Sequence, residues 1–329
     1  MARPRIFVTQ PIAESALKRL RAVADVEVNT DSSQVLPKGK LIEGVKRCDI
    51  LLSLLHDTVD ADVLAANPKL LAVSSMNITQ DRIDLAAATE LGIPVTNIPA
   101  IVTDATADIG FGLLIAVARN IAQGDKLFRV GVYPGSQSNY LAGSAVAGTT
   151  LGLIGFGRIG QAMARRGRGF DMKIIYADPR RLTSEEEKKF DAGYRSFDDL
   201  LREADFVSLH PQLSPETRHL MSDAQFALMK PTAFVINTSR GPVIDEAALV
   251  RALKDKKIAG AGLDVYEHEP QVSPELVAMP NVVLTPHLGS AVRSLREGMA
   301  HVVVDNTIAL IEGRAPVSCL NSQVLKKLF

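Results

Sequence analysis

At 329 residues the chain is long for one hydrophobic core, so two domains are expected. Its 37 basic residues balance 37 acidic ones, which gives no electrostatic reason to expect nucleic acid or an acidic membrane surface as a partner. An apolar share of 47%, a charged share of 22% and an N-terminus without an apolar signal core point to a soluble, cytoplasmic protein. The most apolar run, "IGFGLLIAVA", stops at Arg119 and is too short to span a bilayer. Cys48 and Cys319 match no metal-ligand spacing and read as free thiols, with nothing in the sequence to say whether they meet.

The first hundred residues alternate short β-like runs with helical periods. "RIFVT", "VEVN", "DILLSLL", "LLAVSS" and "IPVTN" read as strands, and "AESALKRLRAV", "LIEGVKR", "ADVLAAN" and "IDLAAATEL" as the helices between them. This is βαβ alternation, hence a parallel sheet, and it contains no glycine-rich nucleotide loop. From Thr103 runs a long helical pattern that the sequence breaks at Gly124 and ends near Gly131. "VYPGSQSNYLAGSAVAG" after it reads as irregular. A second series supplies six strands: "LGLIG", "KIIYAD", "DFVSLH", "AFVINTS", "IAGAGLDV" and "VVLTPH". "SLREGMAHVVVDNTIALIEG" closes the chain as a helix whose apolar face needs a partner.

That order gives two doubly wound α/β domains. Residues 100–286 form a nucleotide-binding domain, inserted into a discontinuous domain made of residues 1–99 and 287–329, with a cleft between the two.

The nucleotide loop is Gly155-x-Gly157-x-x-Gly160 in "GLIGFGRIGQA". Its glycines permit a tight turn, close backbone approach to a pyrophosphate, and close helix–strand packing. The amides of Arg158 and Ile159 then face the diphosphate at a helix N-terminus. Asp178, 18 residues beyond Gly160 at the end of "KIIYAD", is placed to accept hydrogen bonds from a ribose diol. NAD is therefore the expected cofactor. Arg180 and Arg181 follow at once and keep NADP open, because arginine is what holds a 2′-phosphate.

"NTSRGPVID", "GLDVYEHEP" and "LTPHLGS" lie at strand ends of the same domain. Ligands of open α/β sheets sit outside the carboxyl ends of strands, so Arg240, Glu269 and His287 converge there. Those three residues in these contexts, after the glycine loop, resemble the D-isomer-specific 2-hydroxyacid dehydrogenases, and most of all their glyoxylate/hydroxypyruvate reductase branch. The resemblance covers nearly the whole chain, from "VDADVL" through "TDATAD" and "NTSRGPVIDEAAL" to "TPHLGS". It implies a Rossmann domain inserted into a flavodoxin-like substrate domain, reduction of a small 2-oxo acid by NAD(P)H, and a homodimer whose arm is the long helical pattern and the irregular tract.

The residue types suit that chemistry. His287 as imidazolium can give a proton to the carbonyl oxygen and as imidazole take it back. Glu269, hydrogen-bonded to the ring, orients it and favours its charged form. Arg240 offers a planar fork to carboxylate and carbonyl oxygen, so no metal is called for. Glu267 stands two residues from Glu269, and the choice between them rests on the resemblance. The resemblance also assigns Thr106, Arg180, His210, Pro211, Thr217, Thr238, Ser239, Asp264, His287 and Gly289 to the cofactor, Asp264 to its carboxamide. Leu55, His56, Ile78, Thr79 and Ser290 join Arg240 around the substrate.

The chain departs from the family in the carboxylate loop. Where relatives carry a Gly-Val-Gly-like sequence it has Asn77-Ile78-Thr79. Asn tolerates a left-handed backbone and Thr does so poorly, so a remodelled pocket floor is expected. A phosphite-dehydrogenase-like oxidation of a small anion is an alternative, weighed down by Ile78 where that enzyme has lysine. Formate dehydrogenases fit Glu269 less well, and no regulatory domain of the kind found in D-3-phosphoglycerate dehydrogenases follows the closing helix. A dinucleotide-sensing protein like the C-terminal-binding corepressors is the alternative from another class.

Overall fold

In the computed structural model, which describes residues 3–327, the chain divides into two compact units. One comprises residues through Ile101 together with those from Val292 onward, and the other is Val102–Ala291.

The first unit runs β1 (Arg5–Val8), α1 (Glu14–Val23), β2 (Asp25–Val28), α2 (Lys38–Arg47), β3 (Ile50–Ser53), α3 (Ala61–Ala65), β4 (Ala72–Ser75), α4 (Leu85–Glu90) and β5 (Val95–Thr96). Its strands pair in parallel in the order β2-β1-β3-β4-β5, the flavodoxin-like order. Every residue of β3 and β4 is buried, as it must be for strands covered on both faces. Asp60 and Asp84 start α3 and α4 by accepting the amides of Val63 and Ala87.

The second unit opens with α5 (Thr103–Ala118) and α6 (Ile121–Arg129), bent 67° from each other. The break falls at Asn120, in the left-handed region at φ 54°, and not at Gly124, which sits inside α6. Asparagine tolerates that conformation, and here its amide also donates to the Leu141 carbonyl at 3.2 Å. Then come β6 (Thr150–Ile154), α7 (Arg158–Arg168), β7 (Lys173–Ala177), α8 (Ser184–Phe190), β8 (Ala192–Tyr194), α9 (Phe197–Glu203), β9 (Phe206–Leu209), α10 (Asp223–Leu228), β10 (Phe234–Asn237), α11 (Glu246–Lys254), β11 (Gly260–Leu263), α12 (Pro274–Ala278) and β12 (Val282–Leu284). The sheet has seven parallel strands, β12-β11-β10-β9-β6-β7-β8, a doubly wound arrangement that reverses direction beside β6. The sequence supplied six. The seventh, β8, is a three-residue edge strand paired only with β7, too short to show a period.

The apolar run of α5 is spent inside this unit: Phe111, Leu113, Leu114 and Val117 are buried against α7, β10 and β11. Exposed apolar surface lies one helix further on, at Phe128, Val130 and Tyr133. Among the described residues no single helix is long and apolar enough to cross a membrane.

The last helix, α13 (Arg293–Ile311), belongs to the first unit and packs on α1 and β4. It buries Met299, Val303 and Val304, and Asn306 donates to the Asn97 carbonyl at 2.9 Å. Cys48 is buried, Cys319 half-buried, and both are free thiols. The division after Ala291 leaves His287 in the inserted unit, five residues before the boundary, rather than at the head of the returning segment.

Candidate active site

The glycine loop is shaped by three different constraints. Gly155 has φ 86°, and a Cβ there would come within 2.8 Å of the His210 carbonyl. At Gly160 a Cβ would lie 2.3 Å from the Gly155 carbonyl oxygen, so only glycine lets α7 pack this closely. Gly157 differs: nothing lies within 4 Å of its Cβ direction. Behind that open space α7 begins with Arg158 and Ile159, and no side chain caps it. Its first amides therefore present a ready anion site. Asp178 closes β7 with one carboxylate oxygen on the Phe156 amide at 2.8 Å and the other on the Arg180 amide at 2.9 Å. Arg180 and Arg181 are exposed and lean towards Glu186 and Glu187, at 3.5 and 3.2 Å.

Around the loop the expected cofactor residues occupy varied settings. His210 donates its amide to Ile154 and contacts Ser208 Oγ through Nε2 at 2.9 Å, and desolvation pushes its pKa down to about 3. The ring is neutral. Its Nδ1 and the hydroxyl of Thr238 are buried polar atoms with no hydrogen-bond partner among the described residues. Pro211 follows against Gly155. Thr217 is bound into its own turn, donating to the Gln212 carbonyl at 2.6 Å and accepting the Ser214 amide at 2.8 Å. Ser239 is fixed by Asn237 Oδ1, and Thr106 by the Gly289 carbonyl at 3.3 Å.

Arg240, Glu269 and His287 follow β10, β11 and β12, three neighbouring strands. His287 Nδ1 meets Glu269 Oε2 at 3.1 Å, and Glu269 Oε1 accepts the Tyr266 amide at 3.0 Å. The side chains are 18% and 9% exposed, so the pair is shielded but reachable. Arg240 is half-buried, its carbonyl held by Asn237 Nδ2 at 3.0 Å and its Nη1 donating to the Ser239 carbonyl at 2.7 Å.

Asp264 has a role that the sequence reading missed. Its carboxylate is turned into the His287 loop, where it accepts from Thr285 Oγ1 at 2.6 Å and from the amides of Leu288 and Gly289 at 2.7 and 2.9 Å. Its carbonyl takes the His287 amide at 3.0 Å. Burial pushes this carboxyl up, against those hydrogen bonds. The loop needs such an anchor because His287 stands in the left-handed region at φ 54°.

A family model described as the NAD binding domain of D-isomer specific 2-hydroxyacid dehydrogenase matches residues 111–289. Over 327 residues the chain is 45% identical to a glyoxylate reductase of Thermococcus litoralis, with 98% of each chain covered. The chain belongs to the D-isomer-specific 2-hydroxyacid dehydrogenases. A crystal structure of a Thermus thermophilus protein superimposes on this dehydrogenase with a TM-score of 0.88 at 40% identity, covering 96% of this chain and 99% of that one. An NADPH-dependent glyoxylate/hydroxypyruvate reductase of Sinorhizobium meliloti, solved with NADP and malonate, gives 0.79 at 29% identity, with 97% of each covered.

The dehydrogenase's second unit suits a nicotinamide dinucleotide. It offers an open space over Gly157, uncapped amides behind it and two orphaned buried polar atoms, His210 Nδ1 and Thr238 Oγ1. In its first unit Leu55 and His56 follow β3, half-buried, and Asn77-Ile78-Thr79 follow β4. Neither Asn77 nor Thr79 adopts the left-handed backbone that the family's glycines suggested. The loop is held otherwise, with Asn97 Nδ2 on the Ile78 carbonyl at 2.9 Å and Thr79 Oγ1 on Asp81 at 2.9 Å. Ser290 is half-buried just past the His287 loop.

Proposed function

We propose that this dehydrogenase reduces a small 2-oxo acid of the glyoxylate or hydroxypyruvate kind to the D-2-hydroxy acid, with NADH preferred over NADPH. The observation that carries the reading is the His287–Glu269 contact, set beside Arg240 on the sheet that bears the dinucleotide loop. When bound, reduced nicotinamide would supply a hydride, one hydrogen nucleus with two electrons, to the carbonyl carbon. His287 gives the proton that the carbonyl oxygen requires, so oxo acid, NADH and one proton become hydroxy acid and NAD. With Nδ1 turned to Glu269, Nε2 is the nitrogen that gives and regains this proton. Arg240 binds the carboxylate and the carbonyl oxygen, and its charge stabilises the alkoxide as it forms.

For the cofactor, Gly155, Gly157, Arg158, Ile159 and Gly160 would hold the pyrophosphate and Asp178 the ribose diol, with Thr106, His210, Pro211, Thr238 and Ser239 around the rest. Thr217 would act through its turn and Asp264 by carrying the 285–289 loop. A 2′-phosphate would meet the Asp178 carboxylate, a like charge that costs several kcal/mol when poorly solvated. Leu55, His56, Ile78, Thr79 and Ser290 would contact the substrate. The exposed apolar surface from Phe128 to Tyr133 would bury itself in a homodimer.

A panel of 2-oxo acids, followed by loss of NADH absorbance, tests the reading. Turnover of short 2-oxo acids supports it, and inertness towards all of them overturns it.

A further inference from the structure

Beyond Asp264, the segment leaving β11 carries two glutamates with different partners. Glu269 turns to His287, whereas Glu267, with its side chain only 8% exposed, turns to Arg218, His219 and the amide of Glu246. Glu267 Oε1 accepts from His219 Nε2 at 2.5 Å and from Arg218 Nη2 at 3.3 Å. Its Oε2 accepts the Glu246 amide at 3.1 Å, and its own amide donates to Glu246 Oε2 at 3.1 Å. His219, in the left-handed region at φ 52°, donates its amide to the Pro242 carbonyl at 2.8 Å. Between these anchors Gly241 packs against the Tyr266–Glu267 peptide, where a Cβ would come within 1.8 Å of the Tyr266 carbonyl oxygen. The loop is thus seated on the β11 exit with no slack, and Arg240 is the next residue back.

A carboxylate buried to this extent is costly to keep. Burial works against its charge, yet the contact with His219 holds the carboxyl below its ordinary range. An apolar side chain could fill the same space without that cost, so what these hydrogen bonds contribute is a fixed geometry. We propose that Glu267 and His219 are positioning residues for Arg240, clamping the 241–246 loop so that the guanidinium meets the oxo acid in one orientation. The inference rests on the reading of the site as a 2-oxo acid reductase and deepens it. Glu267 and His219 act through Arg240 and do not touch the reacting atoms.

Steady-state kinetics on the best 2-oxo acid, with NADH titrations and thermal melts alongside, test this in the full-length chain. Glu267→Ala is expected to lower kcat/KM by about 10- to 100-fold, the scale of a misplacement near 1 Å, with NADH affinity unchanged within about twofold. If the effect passes through Arg240, the Arg240→Lys, Glu267→Ala double variant is little worse than Arg240→Lys alone. His219→Gln, which keeps a donor for Glu267, should recover most of the activity that His219→Ala loses, and this pair decides the matter if Glu267→Ala does not fold. Multiplying losses in the double variant, or variants that melt earlier but turn over like wild type, would overturn the proposal. An inert wild type would overturn the functional reading and this proposal together, whereas an active wild type with unaffected variants would overturn this proposal alone.

Discussion

Gly157→Ala separates binding from folding more cleanly than any other change in the glycine loop. Gly157 sits at φ −70° and ψ −162°, extended backbone that alanine adopts freely, and its Cβ direction is empty. The fold should lose less than about 1 kcal/mol, the difference between glycine and alanine before a helix. The new methyl group would instead occupy the space assigned to the pyrophosphate, displacing it from the first amides of α7. Losing one charge-assisted hydrogen bond costs roughly 1.5–3 kcal/mol, which is roughly 10- to 150-fold in Kd. Gly160→Ala is the contrast. Its Cβ would lie 2.3 Å from the Gly155 carbonyl oxygen, so α7 must move off β6, an overpacking cost of about 1–3 kcal/mol in stability. Urea denaturation measures the loss of stability, and NADH titration the loss of binding. The chain has no tryptophan, so binding is followed by the emission of the nicotinamide itself. A Gly157→Ala variant that binds NADH like wild type would show that the pyrophosphate does not lie over this residue.

Four further outcomes are expected. His287→Ala should keep NADH binding but lose about two to four decades of turnover, and unchanged turnover would remove it from the chemistry. Asp178→Ser should raise the NADPH-to-NADH ratio of kcat/KM at least ~10-fold, about 1.4 kcal/mol, since Arg180 and Arg181 are already present; an unmoved ratio would place discrimination elsewhere. Glu203 is held down to about 2 by hydrogen bonds from Arg195 and Lys173, so its stabilisation is present above its ordinary value of 4.5 and fades as pH falls through about 2. These side chains are partly exposed, so Glu203→Gln should cost only about 1 kcal/mol at pH 7, with the gap to wild type narrowing in urea melts at pH 3. Sedimentation should give a dimer that Phe128→Glu dissociates, and a monomeric wild type would refute the assigned interface.

Both parallel sheets could be read from the chain because buried strands such as "ILLS" and "FVIN" are apolar runs bounded by turns. What escaped the reading was governed by contacts between distant residues. β8 exists because β7 offers it an edge, and its own three residues carry no pattern. The bend after α5 fell at an asparagine because Leu141, far along the chain, accepts its amide, while Gly124 continues the helix. The apolar run of α5 suggested an interface, but a hydrophobic stretch does not say whether it faces its own core or another copy. Glu267 and Glu269 are alike in sequence, and only the folded chain gives one to His219 and the other to His287. The hold of Asp264 on the His287 loop was not legible either, because its three internal donors all come from residues 285–289, more than twenty positions away.

The contact between Thr106 and Gly289 bears on the order in which the molecule assembles. These residues lie close to the two ends of the inserted unit, Val102 and Ala291. The first unit is not complete until α13 reaches α1 and β4. Were the insert still an unfolded coil of roughly 190 residues, closing that loop would carry an entropic cost that grows with its length. Once the insert has folded, its entry and exit are already side by side, and the gap left for the chain to bridge is only a few residues at either end. The contiguous unit is therefore the one that can fold unaided as it is synthesised, and the N-terminal sheet is the part that waits, its α13-facing apolar surface exposed to chaperones and to other nascent chains until the final helix arrives.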